Sequence, residues 1–197
     1  MRVTTCKKLK KLGTKTKWLL PLVALLLVQG CAIWKPVTMS QATIPKGPAV
    51  QLPQGWMRFM PTGDNILITR DGLGLQLIEV HYRKAEDSFA KDKRPEHIPD
   101  APEQLAELEL AQLRSIPALR TLEVLENQPT TIAGLPAYRL HLRFRNAKGL
   151  RYDRLVYGAI NKGQYLRVTY SAAYLFYFDR DLSAFESVVK SLRFEGK

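Results

Sequence analysis

The sequence predicts an α+β fold built on an antiparallel sheet, and three observations carry that prediction. Residues 138–145 alternate apolar and basic side chains, the period of a strand with two different faces. Short turns, Lys148-Gly149 and Asn161-Lys162-Gly163, join that segment to two more strand-like segments, Leu150–Ile160 and Gln164–Ser171, which makes a meander in the C-terminal half. Two stretches with apolar residues at helical spacing lie before and after the meander.

Composition sets the frame. Of 197 residues, 46% are hydrophobic and 24% charged, as in an ordinary folded domain. The net charge of +12 is spread unevenly. Residues 1–30 hold Arg2, Lys7, Lys8, Lys10, Lys11, Lys15 and Lys17 and no acid. Without those seven, 23 basic side chains face 18 acidic ones, a mild excess of 5 that does not call for nucleic acid.

The chain opens as an export signal. A basic stretch, residues 1–17, precedes the uncharged apolar run Trp18–Val28 (WLLPLVALLLV). At ~1.5 Å per residue the run reaches about 16 Å, half of a ~30 Å bilayer core, and Pro21 discourages a longer helix. Val28-Gln29-Gly30-Cys31 then resembles the lipobox of bacterial lipoproteins. That resemblance implies removal of residues 1–30 and covalent diacylglycerol and acyl lipid on Cys31. One acyl chain holds a protein only marginally, and two or three hold it stably. Cys6 would leave with the signal, so Cys31 has no disulfide partner and is accounted for as the lipid acceptor. Ala32 rather than Asp follows the cysteine, and the resemblance to bacterial lipoproteins then implies the outer membrane, facing the periplasm.

Residues 31–53 show no sustained period. Pro36, Pro45, Gly47, Pro48 and Pro53 interrupt them, which predicts a semi-extended tether before a domain at 54–194. Trp56–Met60, Ile66–Arg70 and Leu75–Tyr82 read as strands, with Asp71-Gly72 as turn chemistry. The charged segment 83–100 reads as a solvated loop. Asp100 as cap, Pro102 in the first turn and Glu103 as in a capping box announce a helix with Leu105, Leu108, Leu110, Leu113 and Ile116 on its apolar face. Leu122–Glu126 and Thr130–Ile132 precede the meander. After it, Asp179 or Asp181 caps a last helix with Leu182, Phe185, Val188, Val189 and Leu192 inward.

The stretches I132-A-G-L-P-A-Y138, Y157-G-A-I-N-K-G-Q-Y165-L-R-V-T-Y170 and F178-D-R-D-L-S-A-F185-E-S-V-V-K-S-L-R-F194 resemble the PsbP-like group. The group is named for the photosystem II accessory protein and includes many bacterial lipoproteins. The resemblance covers roughly residues 54–194. It implies an antiparallel sheet with helices on both faces, an α/β/α sandwich, and it carries no shared catalytic residues.

Chemistry is sparse. His81, His97 and His141 show no metal-ligand spacing, and no Gly-x-Ser-x-Gly or comparable nucleophile motif is present. Asp71-Gly72-Leu73-Gly74 joins two strands and lacks the helix that would hold a phosphate, so it reads as a turn. No catalytic residue, metal site or cofactor is therefore expected, the lipid on Cys31 apart. The basic row Arg139, His141, Arg143 and Arg145 on one face of a strand is the first candidate contact for a partner. If the Asn161-Lys162-Gly163 turn sets the register, Arg167 and Tyr157 join it, with Asp153 as a neutralising partner. The alternative is a solvated face, or one covered by a helix whose acids pair with the arginines. The second candidate is the aromatic segment Tyr174, Phe176 and Tyr177, either an exposed patch or the lid of the core.

The expected function is a membrane-anchored periplasmic lipoprotein with a non-catalytic binding or assembly role. Its expected partner is an envelope protein or an anionic envelope component, not nucleic acid. Two other readings are a hydrolase of envelope material, whose site would be assembled only in space, and an accessory subunit of a membrane redox complex, which rests on fold analogy.

Overall fold

In the computed structural model residues 33–194 are described, apart from 39, 61, 62, 64, 91, 93 and 94. The signal, the lipobox residues Val28, Gln29 and Gly30, and Cys31 lie outside the described residues. The chain divides into a unit Met1–Ala32 and a unit Ile33–Lys197, and the fold below is that of the second. In chain order its elements are β1 (Trp34–Pro36), β2 (Gln41–Thr43), β3 (Ala49–Gln51), β4 (Met57–Phe59), β5 (Asn65–Thr69) and β6 (Gln76–Lys84). A 3-10 turn (Ala85–Asp87) and helix α1 (Pro102–Arg114) come next. The meander β7 (Arg120–Ile132), β8 (Leu135–Arg145), β9 (Arg151–Asn161) and β10 (Gln164–Ala173) leads into helix α2 (Phe176–Ser191).

Eight strands form one sheet in the order β1-β4-β5-β6-β10-β9-β8-β7, with every neighbour antiparallel, and β2 and β3 pair separately. Because side chains alternate along a strand, the long strands serve two cores. Tyr138, Leu140 and Leu142 of β8 pack with Leu105, Ala106, Leu110 and Leu113 of α1. On the other face Leu166, Val168, Tyr170 and Ala172 of β10 pack with Phe178, Phe185, Val188 and Val189 of α2. The helices therefore cover opposite faces, and the fold is the α+β sandwich that the sequence predicts. One glycine has a packing reason. A Cβ on Gly158 would meet the ring of Tyr138, its cross-strand partner, at 2.4 Å.

Several local expectations change. From Trp34 onward the segment read as a tether belongs to the fold. β1 pairs with β4 at the sheet edge, and Val37, Ala42, Ile44, Val50 and Leu52 are buried in the α2-side core. Strands of three residues are too short to show a period, and Pro36 sits on an edge strand, where a missing donor is tolerated. The segment 83–100 is not all solvated loop, since β6 runs to Lys84, and Phe89 and Ile98 are buried. Helix α1 starts from Ala101, with no side-chain cap, so Asp100 does not cap it. Helix α2 starts at Phe176, five residues ahead of Asp181, which is buried and bonded to Arg70, Gln76 and Arg180 rather than capping. The two strands expected over 122–132 are one strand, β7. It is an edge strand, so it accommodates Pro129, and it shifts register between Arg120 and Glu123 and between Val124 and Glu126.

Candidate functional site

The parity of β8 puts its basic row on the α2 side, and the register decides what each cation meets. Arg143 stands opposite Asp153 of β9 and donates to both carboxylate oxygens at 2.8 Å. That fork holds the guanidinium pKa above its ordinary value. Asp153 is 2% exposed, so its charge needs the partner. His141 approaches the same carboxylate at 3.3 Å and stacks on Phe178 of α2, with ring centroids 5.3 Å apart. Among the described residues no serine hydroxyl hydrogen-bonds to it.

Arg139 donates to the Tyr157 hydroxyl at 3.0 Å and pairs with Glu126 of β7. Burial works against its charge, but these two partners outweigh burial and raise its pKa. Burial and then Glu186 of α2 push the Tyr157 phenol up. Tyr157 and Asp153 thus stand on the face of the row, brought there by the pairing of β8 with β9. Arg139, His141 and Arg143 have side-chain exposures of only 19, 18 and 23% and are paired with acids, which leaves them little free charge for a partner.

Arg167 does not join them. It pairs across to Gly158, which pairs to Tyr138, so its side chain takes the face of Tyr138, under α1. There it donates to Glu109 at 2.8 Å, and Glu109 also accepts from the Tyr165 hydroxyl at 3.2 Å. The Tyr138 and Tyr165 hydroxyls are 2.5 Å apart. Burial first, and Glu109 next, hold both phenols well above their ordinary pKa. Arg167 is a half-buried structural cation on the wrong face for the row.

The aromatic segment divides. Phe178 is buried, and Tyr174 and Tyr177 are half-buried, whereas Leu175 and Phe176 are each 63% exposed. Leu175 has φ +75°, a left-handed conformation that leucine tolerates poorly, at the turn that leads into α2. Leu73 and Leu150, each 55% exposed, lie on the β5–β6 and β8–β9 turns at the same end of the sheet. Hydrogen bonds tie the three turns together. Tyr174 N–H donates to Arg151 O at 2.9 Å, Tyr152 OH to Gly74 O at 2.5 Å, and Ala173 N–H to Leu75 O at 2.9 Å. Arg180 lies over the rings of Phe176 and Tyr177 and pairs with Asp71. Four exposed large apolar side chains, rimmed by arginines, make this end the candidate interaction surface. Leu73 escapes a sequence reading because it is a lone apolar residue in a turn, and Leu150 because it reads as the first residue of a strand that in fact starts at Arg151. Their grouping exists only once the strands are in register.

No family model matches the chain, and no curated protein is similar to it in sequence. Solved structures share its fold. The cyanobacterial PsbP protein CyanoP from Synechocystis is similar over 85% of this chain and 96% of its own, at 15% identity and a TM-score of 0.55. The Ran-binding protein Mog1p from Saccharomyces cerevisiae is similar over 79% and 96%, at 8% identity and a TM-score of 0.53. A Bacteroides thetaiotaomicron structure is matched over 80% of this chain, which spans 49% of that protein, at 12% identity and a TM-score of 0.49. For CyanoP and Mog1p, at these identities, the likeness is one of fold.

Proposed function

We propose that the chain is a lipid-anchored, non-catalytic binding protein of the outer membrane, facing the periplasm, that engages an envelope protein through the turn end of its sheet. The observation that supports this reading is the group Leu73, Leu150, Leu175 and Phe176, large apolar side chains exposed on three adjoining turns. A lone exposed leucine needs no explanation, but four on one end, one of them on strained backbone, suit a contact surface. Arg139, His141 and Arg143 of the basic row are the weaker candidates because their charges are spent inside the fold. Mog1p, a Ran-binding protein, shows that a similar fold serves protein binding elsewhere. The anchor rests on Val28–Cys31 behind its apolar run.

A photo-crosslinking residue in place of Phe176, in living cells, should capture a discrete envelope protein. One in place of Lys162, in the turn at the opposite end of the sheet, should not. Equal capture at both positions, or none at Phe176, sinks the surface assignment. In the same cells Cys31→Ser should abolish labelling by a palmitate analogue, and persistent labelling sinks the anchor.

A further inference from the structure

The register brings three arginines into one row at the turn end of the sheet. Arg145 of β8 stands directly opposite Arg120 of β7 on one side and Arg151 of β9 on the other. Directly opposed residues of antiparallel strands point to the same face, with Cβ atoms about 5 Å apart, and like charges placed so repel. One row further in, the same three strands carry the opposite arrangement, with Arg143 between Glu123 and Asp153. Neutralisation is thus within reach of these strands and is withheld from the last row.

All three arginines of that row are exposed, and among the described residues no carboxylate lies within ion-pair distance of any of them. Arg145 donates to the Gly149 carbonyl at 2.9 Å, and Arg151 lies 3.8 Å over the Tyr174 ring. Arg143, Arg145 and Arg151 line one cavity of about 180 Å³ with Thr121, Glu123 and Phe144. Thr121 on its rim has φ +50°, an outlying conformation for a β-branched residue, and it sits in the register shift between Arg120 and Glu123. Repulsion and backbone strain meet at one place, which is where a fold gives up stability to a ligand.

We propose that this row is a binding site for a phosphate group. A guanidinium forks onto anionic oxygens, and forks from three strands offer more donors than the two oxygens of a carboxylate can accept. The terminal oxygens of a phosphate provide the third set of acceptors. Tyr174 fixes Arg151 of this row at 3.8 Å by cation–π contact, and Arg143 of the row behind it lies over the same ring at 4.4 Å. The same chemistry serves an inorganic phosphate ion and a phosphorylated headgroup. The site depends neither on the lipid anchor nor on the apolar surface, so those readings stand or fall separately.

The test is thermal unfolding of the full chain in detergent, with inorganic phosphate, sodium acetate and sodium chloride compared at equal ionic strength. Phosphate should raise the melting temperature saturably. The double variant Arg145→Gln, Arg151→Gln should weaken that response about tenfold or more, and should melt no lower than the parent without phosphate. Nitrogen-15 NMR of the arginine Nε–H groups supplies a readout independent of stability, and Arg145 and Arg151 should shift on phosphate addition. Replacing inorganic phosphate by glycerol 3-phosphate separates the sources. Tighter binding of the ester assigns a headgroup, and equal binding assigns the free ion. Equal protection by chloride would reduce the effect to screening and overturn the site. Equal protection by acetate would overturn the choice of phosphate.

Discussion

Arg143 and Arg145 are two residues apart on β8 and point to the same face, yet one lies mostly buried between acids and the other exposed between arginines. Burial separates them. Asp153 is out of water beneath Arg143, and an unpaired buried carboxylate is costly, so that row is neutral by necessity. At the last row of the sheet, water screens the charges and the fold makes no such demand. An arginine can then be kept for something outside the protein. Charge in this molecule is structural where it is covered and available where it is not.

Substitutions along that one face sharpen the comparison. Arg143→Gln leaves Asp153 buried, with only His141 near it, and should cost about 3 kcal/mol. For a domain of this size that is a fall of roughly 6–12 °C in melting temperature, and a fall below about 2 °C would break the comparison. Arg139→Gln should cost less, about 1 kcal/mol, because its partner Glu126 keeps 46% of its side-chain surface in water. Calorimetry on the two variants side by side checks the order, which the comparison forbids from reversing.

A smaller effect belongs to the turn end itself. Hydrogen bonds from Arg180 and then Gln76 hold the Asp71 carboxyl below its ordinary value of 3.8, with the partial desolvation of the group acting the other way. A carboxylate whose folded pKa is depressed stabilises the fold above its unfolded pKa, and the contribution fades as pH falls through the folded value. Asp71 keeps 36% of its side-chain surface in water, so the change is modest and salt-sensitive. Hydrogen-exchange protection of the 70–75 turn, corrected for the intrinsic pH dependence of amide exchange, should fall below about pH 4 in the parent and be nearly flat with pH in Asp71→Asn. An unchanged acid response in that variant would place the sensitivity elsewhere.

That Asp153 and Tyr157 share a face was legible from strand alternation, whereas the pairing of Arg143 with Asp153 was not, because the β8–β9 turn spans residues 146–150 and its register does not show in the sequence. Arg167 is misplaced because the turn is taken as Asn161-Lys162-Gly163, whereas Asn161 pairs with Gln164 and only Lys162 and Gly163 turn, and that one-residue slip sends Arg167 to the other face, opposite Gly158. Helix α1 and helix α2 were legible from apolar spacing, whereas their starts were not. Asp181 has the chemistry of a cap, but Gln76 and two arginines brought near by the fold claim it instead. Arg120 lay outside the expected strand Leu122–Glu126, and only the register shift in β7 sets it opposite Arg145. Strands β1 to β3, at three residues each, carry no readable period.

The sheet is open, and its two edges differ in a way that bears on how copies of the chain behave together. β1 offers an edge of three residues, too short to template another strand. β7 offers thirteen, exposed along most of their length, which in a flat and uninterrupted strand would invite stacking into fibres. Two register shifts break its line of free amides and carbonyls, Pro129 removes a donor, and Glu123 and Glu126 add charge. A second β7 laid against the first could form only a few consecutive bonds before falling out of step. The irregularity of this edge therefore acts as a solubility device, and straightening it by Pro129→Val should make the chain more prone to aggregate long before it changes how tightly the monomer folds.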